Sequence, residues 1–176
     1  MEERKIVLFI ATTLDGYIAT LDHDLTWLFN VEGEGDNGIS AFYDTIDTIL
    51  MGRVTYDWII KNHDVFPYQD KKCFVFSRSQ QSENNQIQYI DEPIGPFLRK
   101  LKREAGKKIW IMGGSQLIAQ VLAENVLDEL IVTIAPVLLG NGIPLFHERD
   151  MQTNLILNSV KRFNQFVELH YAVKKE

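Results

Sequence analysis

Cysteine is nearly absent from this chain: Cys73 stands alone among 176 residues. No internal disulfide can form, and a reducing cytoplasm is the expected setting. That one cysteine sits in the apolar run Cys73-Phe74-Val75-Phe76 and is expected in the core. Long hydrophobic runs are missing as well. Nothing approaches the roughly 20 apolar residues of a membrane-spanning helix. The start, Met1-Glu2-Glu3-Arg4-Lys5, leads into a short apolar stretch without the h-region of a secretory signal. Positive charge is in deficit. Lys and Arg number 18 against 24 Asp and Glu, a net charge of −6 with a pI near 5.2. A nucleic-acid or anionic-membrane partner is therefore not expected. The four histidines, His23, His63, His147 and His170, are scattered without ligand spacing, so no metal site is expected. Ser115 lacks a Gly-x-Ser-x-Gly context and reads as a helix cap rather than a nucleophile. No linker, repeat or low-complexity tract breaks the chain. Residues 1–176 read as a single domain, and 45% hydrophobic residues suffice for a full core.

Periodicity supplies the elements. Residues 5–11 read as a buried strand, followed by an irregular loop at 14–19 and a polar, Gly-rich loop at 33–38. Ile39, Phe42, Tyr43 and Ile46 have helical spacing over 39–47. Strands are expected at 48–51, 72–77, 87–90, 109–112 and 130–139. Helices are expected at 55–61 with Thr55 as N-cap, at 93–105 and at 115–124. Residues 155–163 and 166–173, joined at Asn164-Gln165, read as an antiparallel hairpin. Strands alternating with helices and then a closing hairpin predict a three-layer α/β sandwich, its central sheet mostly parallel with an antiparallel edge.

Four strand ends share one character: each runs into small, hydroxyl or basic residues. Ile109-Trp110-Ile111-Met112 meets Gly113-Gly114, and Ser115 opens a helix. That junction turns unpaired N–H groups and the positive end of a helix dipole toward one spot, which suits a phosphate. The same reading covers Met51-Gly52-Arg53-Val54-Thr55, Phe76-Ser77-Arg78-Ser79 and the stretch from Ala11 to Ala19. Strand C-termini of a parallel sheet lie along one edge, where ligands bind. Arg53 and Arg78 on such an edge suit a molecule with several phosphates, because the guanidinium fork matches a pair of phosphate oxygens. The alternative is that each arginine pairs with a surface carboxylate.

In order and approximate spacing these segments resemble the dihydrofolate reductase fold. The tail Pro136-Val137-Leu138-Leu139-Gly140-Asn141-Gly142-Ile143-Pro144-Leu145-Phe146 resembles the branch that includes the reductase domain of the bifunctional riboflavin-biosynthesis deaminase-reductase. The chain looks like a stand-alone member, with no deaminase attached. The resemblance implies an NADPH site. Gly52, Arg53, Val54 and Thr55 match the segment around the pyrophosphate and near the 2′-phosphate. Ser77 and Arg78 match the loop holding the 2′-phosphate and adenine. Gly113, Gly114, Ser115, Gln116 and Leu117 match the second pyrophosphate turn, where the family has a cis Gly-Gly peptide. Ala11, Ile18 and Ala19 match the nicotinamide wall. For the reaction itself, Asp36 matches an acid that would meet the substrate, Trp27 the loop tryptophan and Thr133 the supporting threonine. A carboxyl at Asp36 facing an apolar pocket would have a raised pKa. The sequence shows no clear arginine to clamp a folate glutamate tail and no second cation for a ribosyl phosphate.

The implied activity is hydride transfer from NADPH to a C=N or C=O carbon of a small heterocycle, either a pteridine or folate or a ribosylaminopyrimidine. A non-catalytic nucleotide-binding or assembly module on the same fold is the alternative. Members of this branch pair as homodimers, which makes residues 130–139 and the closing hairpin the expected interface.

Overall fold

A computed structural model describes residues 3–79 and 86–175. In chain order the elements are β1 (Ile6–Thr13), β2 (Tyr17–Ala19), α1 (Thr26–Phe29), α2 (Ile39–Tyr43), β3 (Ile46–Gly52), α3 (Arg53–Asn62), β4 (Lys72–Phe76) and β5 (Ile87–Ile90). They continue with α4 (Ile94–Lys102), β6 (Lys108–Gly113), α5 (Ser115–Ala123), β7 (Glu129–Ala135), β8 (Ile143–Pro144), β9 (Leu155–Phe163) and β10 (Phe166–Val173).

Eight strands form one sheet in the order β5-β4-β3-β6-β1-β7-β10-β9. The six strands from β5 to β7 run parallel, and β10 and β9 close the edge antiparallel. β2 and β8 make a separate small antiparallel pair. The core strands are apolar on both sides, as a sheet covered on both faces requires. Successive residues of β1 feed opposite layers. Ile6 and Leu8 join Leu98 of α4 and Leu117 and Ile118 of α5 on one face. Val7 joins Phe42 of α2 and Tyr56 and Ile59 of α3 on the other. Two cores separated by one sheet give the three-layer dihydrofolate reductase-like architecture that the alternating elements predict. Cys73 is buried, as its apolar neighbours imply. No helix among the described residues is long and apolar enough to cross a membrane.

Three boundaries differ from the periodicity, each because tertiary pairing wins. Helical spacing through Ile46 ends at Tyr43, since Ile46 starts β3 and pairs beside Lys108. The strand expected through 139 stops at Ala135; Pro136 has no N–H to give a ladder, and Leu138 is exposed. Part of the loop at 14–19 becomes β2, because β8 offers it a partner more than 120 residues away. β7 lies between β1 and β10, with Leu130, Ile131, Val132 and Ala135 buried within the chain. β9 is the edge strand opposite β5, with Leu155, Ile156, Leu157 and Val160 exposed.

The N-terminal ends of the strands are tied by a buried carboxylate. Glu129 accepts from Lys5 Nζ at 2.7 Å and from Lys108 Nζ at 3.0 Å, with His170 Nε2 3.2 Å away. Burial pushes the carboxyl up, but the hydrogen bonds from Lys5 and Lys108 overcome it and hold the pKa down to about 2, from 4.5. A depressed carboxyl stabilises the fold above its unfolded pKa, and that contribution disappears as pH falls toward the folded value. Glu129→Gln is expected to cost about 2 kcal/mol at neutral pH, since it strips a buried partner from two cations. Urea unfolding of the two proteins should converge as the pH is lowered from 4.5 toward 2.

Candidate active site

At the opposite, C-terminal edge, three strands finish side by side. Gly52 pairs with Phe76, and Met51 pairs with Gly113. Two helices begin at once: α3 at Arg53 after Gly52, and α5 at Ser115 after Gly114. The helix starts are close. A Cβ built on Gly52 would lie 3.5 Å from the Gly114 nitrogen and 3.7 Å from the Gly113 oxygen. The Gly113-Gly114 peptide is cis, and Gly113 has φ +121°, a conformation open to glycine.

Among the described residues neither helix start is capped by a side chain. The N-cap positions belong to Gly52 and Gly114, not to the expected Thr55 or Ser115, both of which lie within the first helical turns. Glycine caps bring no oxygen of their own, so first-turn N–H groups remain for an outside acceptor. Thr55 faces the glycines: its Oγ1 is 3.6 Å from where a Gly114 Cβ would be. Ser115 is buried, and its Oγ lies 3.0 Å from His147 Nε2. Arg53 donates from Nε to Asp57 at 2.7 Å and from Nη1 to the Ser79 carbonyl at 3.3 Å, with its guanidinium 5.9 Å from the Tyr89 ring centre. The arginine thus joins α3 to the turn at 77–79. Ser77 Oγ donates to the Ser79 carbonyl at 2.9 Å in that turn, and Arg78 is exposed beside it.

These groups border a cavity of about 710 Å³. Its lining takes in Ala11, Ile18, Ala19, Gly52, Arg53, Val54, Thr55, Gly114, Ser115, Gln116 and Leu117. Gly113, Ser77 and Arg78 do not line it, although their chain neighbours Met112, Gly114 and Phe76 do. One wall is supplied by the segment after Pro136. Asp15 accepts from Thr13 Oγ1 at 2.6 Å, Gly140 N at 2.8 Å and Leu139 N at 3.1 Å. The Thr13 hydroxyl first, and then those backbone donors, hold its carboxyl below the usual range despite some desolvation. With Leu145 N bonded to Gly16 O at 2.8 Å, this clasp sets Gly142, Ile143, Pro144 and His147 against the cavity.

The three residues expected to serve the reaction do not line the cavity. Asp36 is exposed on the loop before α2, accepting from Ser40 N at 2.8 Å and Gly38 N at 3.0 Å. Its hydrogen bonds with Ser40 lower its pKa, the reverse of the rise expected for a carboxyl in an apolar pocket. Where α2 faces the sheet it presents Phe42, stacked on Phe9 at 4.1 Å and edge-on to Trp110 at 5.4 Å. Trp27 packs with Ala135 and Phe166, and its buried Nε1 has no partner among the described residues. Thr133 sits in register with Ala11 on the neighbouring strand but is not part of the lining.

Sequence reasoning missed other residues. His23, His63 and His147 all line the cavity, as do Trp58 and Tyr68. Their separation along the chain gives no spacing signal; only folding brings them together. Trp58 and His63 could have been found as the continuation of the α3 face that starts at Thr55.

The model of the family described as the RibD C-terminal domain matches residues 4–169. The Bacillus subtilis (strain 168) protein called uncharacterized protein YwjB is 49% identical over 171 residues, covering 97% of this chain and 98% of that one. The crystal structure of a putative riboflavin biosynthesis protein from Shewanella sp. PV-4 superposes with a TM-score of 0.88 at 28% identity, over 97% of this chain and 99% of that one. Dihydrofolate reductase from Enterococcus faecalis, solved with NADP(H), shares the fold at a TM-score of 0.63 and 17% identity, covering 97% of each chain.

Proposed function

This chain belongs to the RibD C-terminal domain family, and on that footing we propose that it is an NADPH-dependent reductase acting on a C=N or C=O carbon of a small heterocyclic compound. The observation that carries the reading is the pair of uncapped helix starts at Gly52 and Gly114, packed against each other at one end of a cavity, with Arg53 beside them. The spot that both helix starts face suits a pyrophosphate, which would accept first-turn N–H bonds from both helices. Arg53, with Ser77 and Arg78 on the adjoining turn, would hold the 2′-phosphate. Ala11, Ile18 and Ala19 would form the wall beside the nicotinamide. When bound, the cofactor supplies the hydride; the chain supplies orientation and exclusion of water. Family membership makes ribosylaminopyrimidine reduction, the riboflavin-type reaction, one candidate beside reduction of a pteridine or folate.

Asp36 serves α2 as a capping carboxylate in this reading. Loss of a general acid costs about 10²–10⁴-fold in rate, so Asp36→Asn is expected to change kcat by less than about twofold. The deciding experiment offers 4-deuterated NADPH with dihydrofolate, dihydropterins and ribosylaminopyrimidines and follows deuterium into product. Deuterium transfer also rejects the second reading, a nucleotide-binding module without turnover. That reading draws on one observation: among the described residues no carboxylate lines the cavity. A homodimer would use β9, whose apolar side chains are exposed at the sheet edge; light scattering at the mass of one chain would refute it.

A further inference from the structure

The cavity has two chemically different ends, and α3 measures the distance between them. Arg53, at its start, and His63, just past its end, both line the cavity. Ten residues of helix separate them by about 15 Å. The groups that attract an anion gather at the first end: the two helix starts, Arg53, and Ser115 with His147. The second end is built from Trp58, Ile59 and Tyr68, which belong to the same apolar cluster as Phe42 and Trp110. Tyr68 packs edge-on against Trp110 at 5.9 Å and Phe66 at 5.6 Å, and His63 lies edge-on to Trp58 at 6.2 Å.

Two polar groups interrupt this aromatic end. The Tyr68 hydroxyl makes no hydrogen bond among the described residues, while its ring is fixed on three sides by Trp110, Phe66 and Tyr43. His63 Nδ1 lies 3.0 Å from the Ile59 carbonyl. A carbonyl can only accept, so Nδ1 carries the proton, and in a neutral ring Nε2 is left as an acceptor. Burial, and then Cys73, push the Tyr68 phenol up. It stays protonated and is a donor suited to a carbonyl or imine rather than to a cation.

Among the described residues no Lys, Arg, Asp or Glu lines this end. Arg53 is the one Lys or Arg in the lining, and it stands at the other end, already bonded to Asp57 and Ser79. The residues outside the described set, at positions 1, 2, 80–85 and 176, include no Lys or Arg. A phosphate or carboxylate seated against Trp58, Ile59 and Tyr68, inward of the exposed His63, would give up hydration on that side without a cation in return, which is unfavourable. Resting on the reductase reading above, we infer that this end takes an uncharged, planar carbonyl or imine compound without phosphate or carboxylate, held by the Tyr68 hydroxyl and the His63 imidazole. A phosphorylated ribosylaminopyrimidine and a glutamate-tailed folate are both disfavoured as substrates.

The test uses three naphthalenes of one shape: 2-naphthaldehyde, 2-naphthoate and 2-naphthyl phosphate. Each is titrated at pH 8 into NADP⁺-saturated protein, with binding followed by calorimetry. The aldehyde is expected to bind at least about tenfold more tightly than either anion. Tyr68→Phe, which removes one oxygen and leaves the ring packing, is expected to weaken aldehyde binding about fivefold without altering the NADP⁺ affinity. Equal or tighter binding of either anion overturns the inference, and so does unchanged aldehyde affinity in Tyr68→Phe. Failure of the reductase reading shows separately, as absence of NADP⁺ binding; the same naphthalenes titrated into the protein alone, wild type against Tyr68→Phe, then decide the inference by the same two outcomes.

Discussion

Arg53→Ala is expected to weaken NADPH binding by about 10- to 100-fold, the value of a lost charge-assisted hydrogen bond or pair of them. NADH binding should change far less, because the arginine stands toward the turn at 77–79 rather than at the glycine pair. Stability should hardly move. In the protein Arg53 makes an i,i+4 pair with Asp57, whose side chain is 55% exposed, and such surface pairs contribute about 0–1 kcal/mol. Adding Arg78→Ala should deepen the loss for NADPH only. Calorimetry with both nucleotides, beside thermal unfolding, separates the effects. Equal affinity of the unmutated protein for NADPH and NADH would remove the 2′-phosphate role from both arginines.

Gly52→Ala should drive binding and stability in opposite directions. The backbone at Gly52 has φ −76° and ψ 163°, which any residue adopts. Its added Cβ meets only ordinary contacts, 3.5 Å to Gly114 N and 3.7 Å to Gly113 O. The fold therefore tolerates it, and the stiffer unfolded chain should make the variant more stable by about 0.4–1 kcal/mol. The same methyl projects where the two helix starts meet. A pyrophosphate displaced from there loses two or more charge-assisted bonds, so NADPH affinity should fall about 100-fold or more. A variant that is more stable and still binds NADPH as the wild type does would mean that the phosphates lie elsewhere.

The two ends of the molecule differ in how far they could be read in advance. Strand-to-helix junctions are local events. The apolar run, the glycine and the helix start fall within ten residues, so the turns at Gly52 and Gly113-Gly114 were visible in the chain, and the sheet does bring them together. The hairpin of β9 and β10 was visible for the same reason, and its bounds match residue for residue. The expected acid at Asp36 was legible only by resemblance. The loop that carries it folds onto its own helix start, where hydrogen bonds to Ser40 and Gly38 satisfy the carboxylate in solvent. The histidines failed as a signal because they sit on three segments related only by folding: the turn at 20–24, the end of α3, and the segment after β8.

By itself the sequence determined the layered α/β class, the parallel strand ends and the glycine-and-arginine chemistry that suits phosphates, since period, turn and cap signals act over a few residues. Tertiary structure alone decided that Ile46 belongs to a strand, that β7 is enclosed, and that an aromatic wall with Tyr68 and His63 forms the far end of the cavity in place of a carboxylate. Those outcomes depend on which distant segments share a neighbour. Burial and desolvation are set by the whole packed chain, and no local pattern carries them.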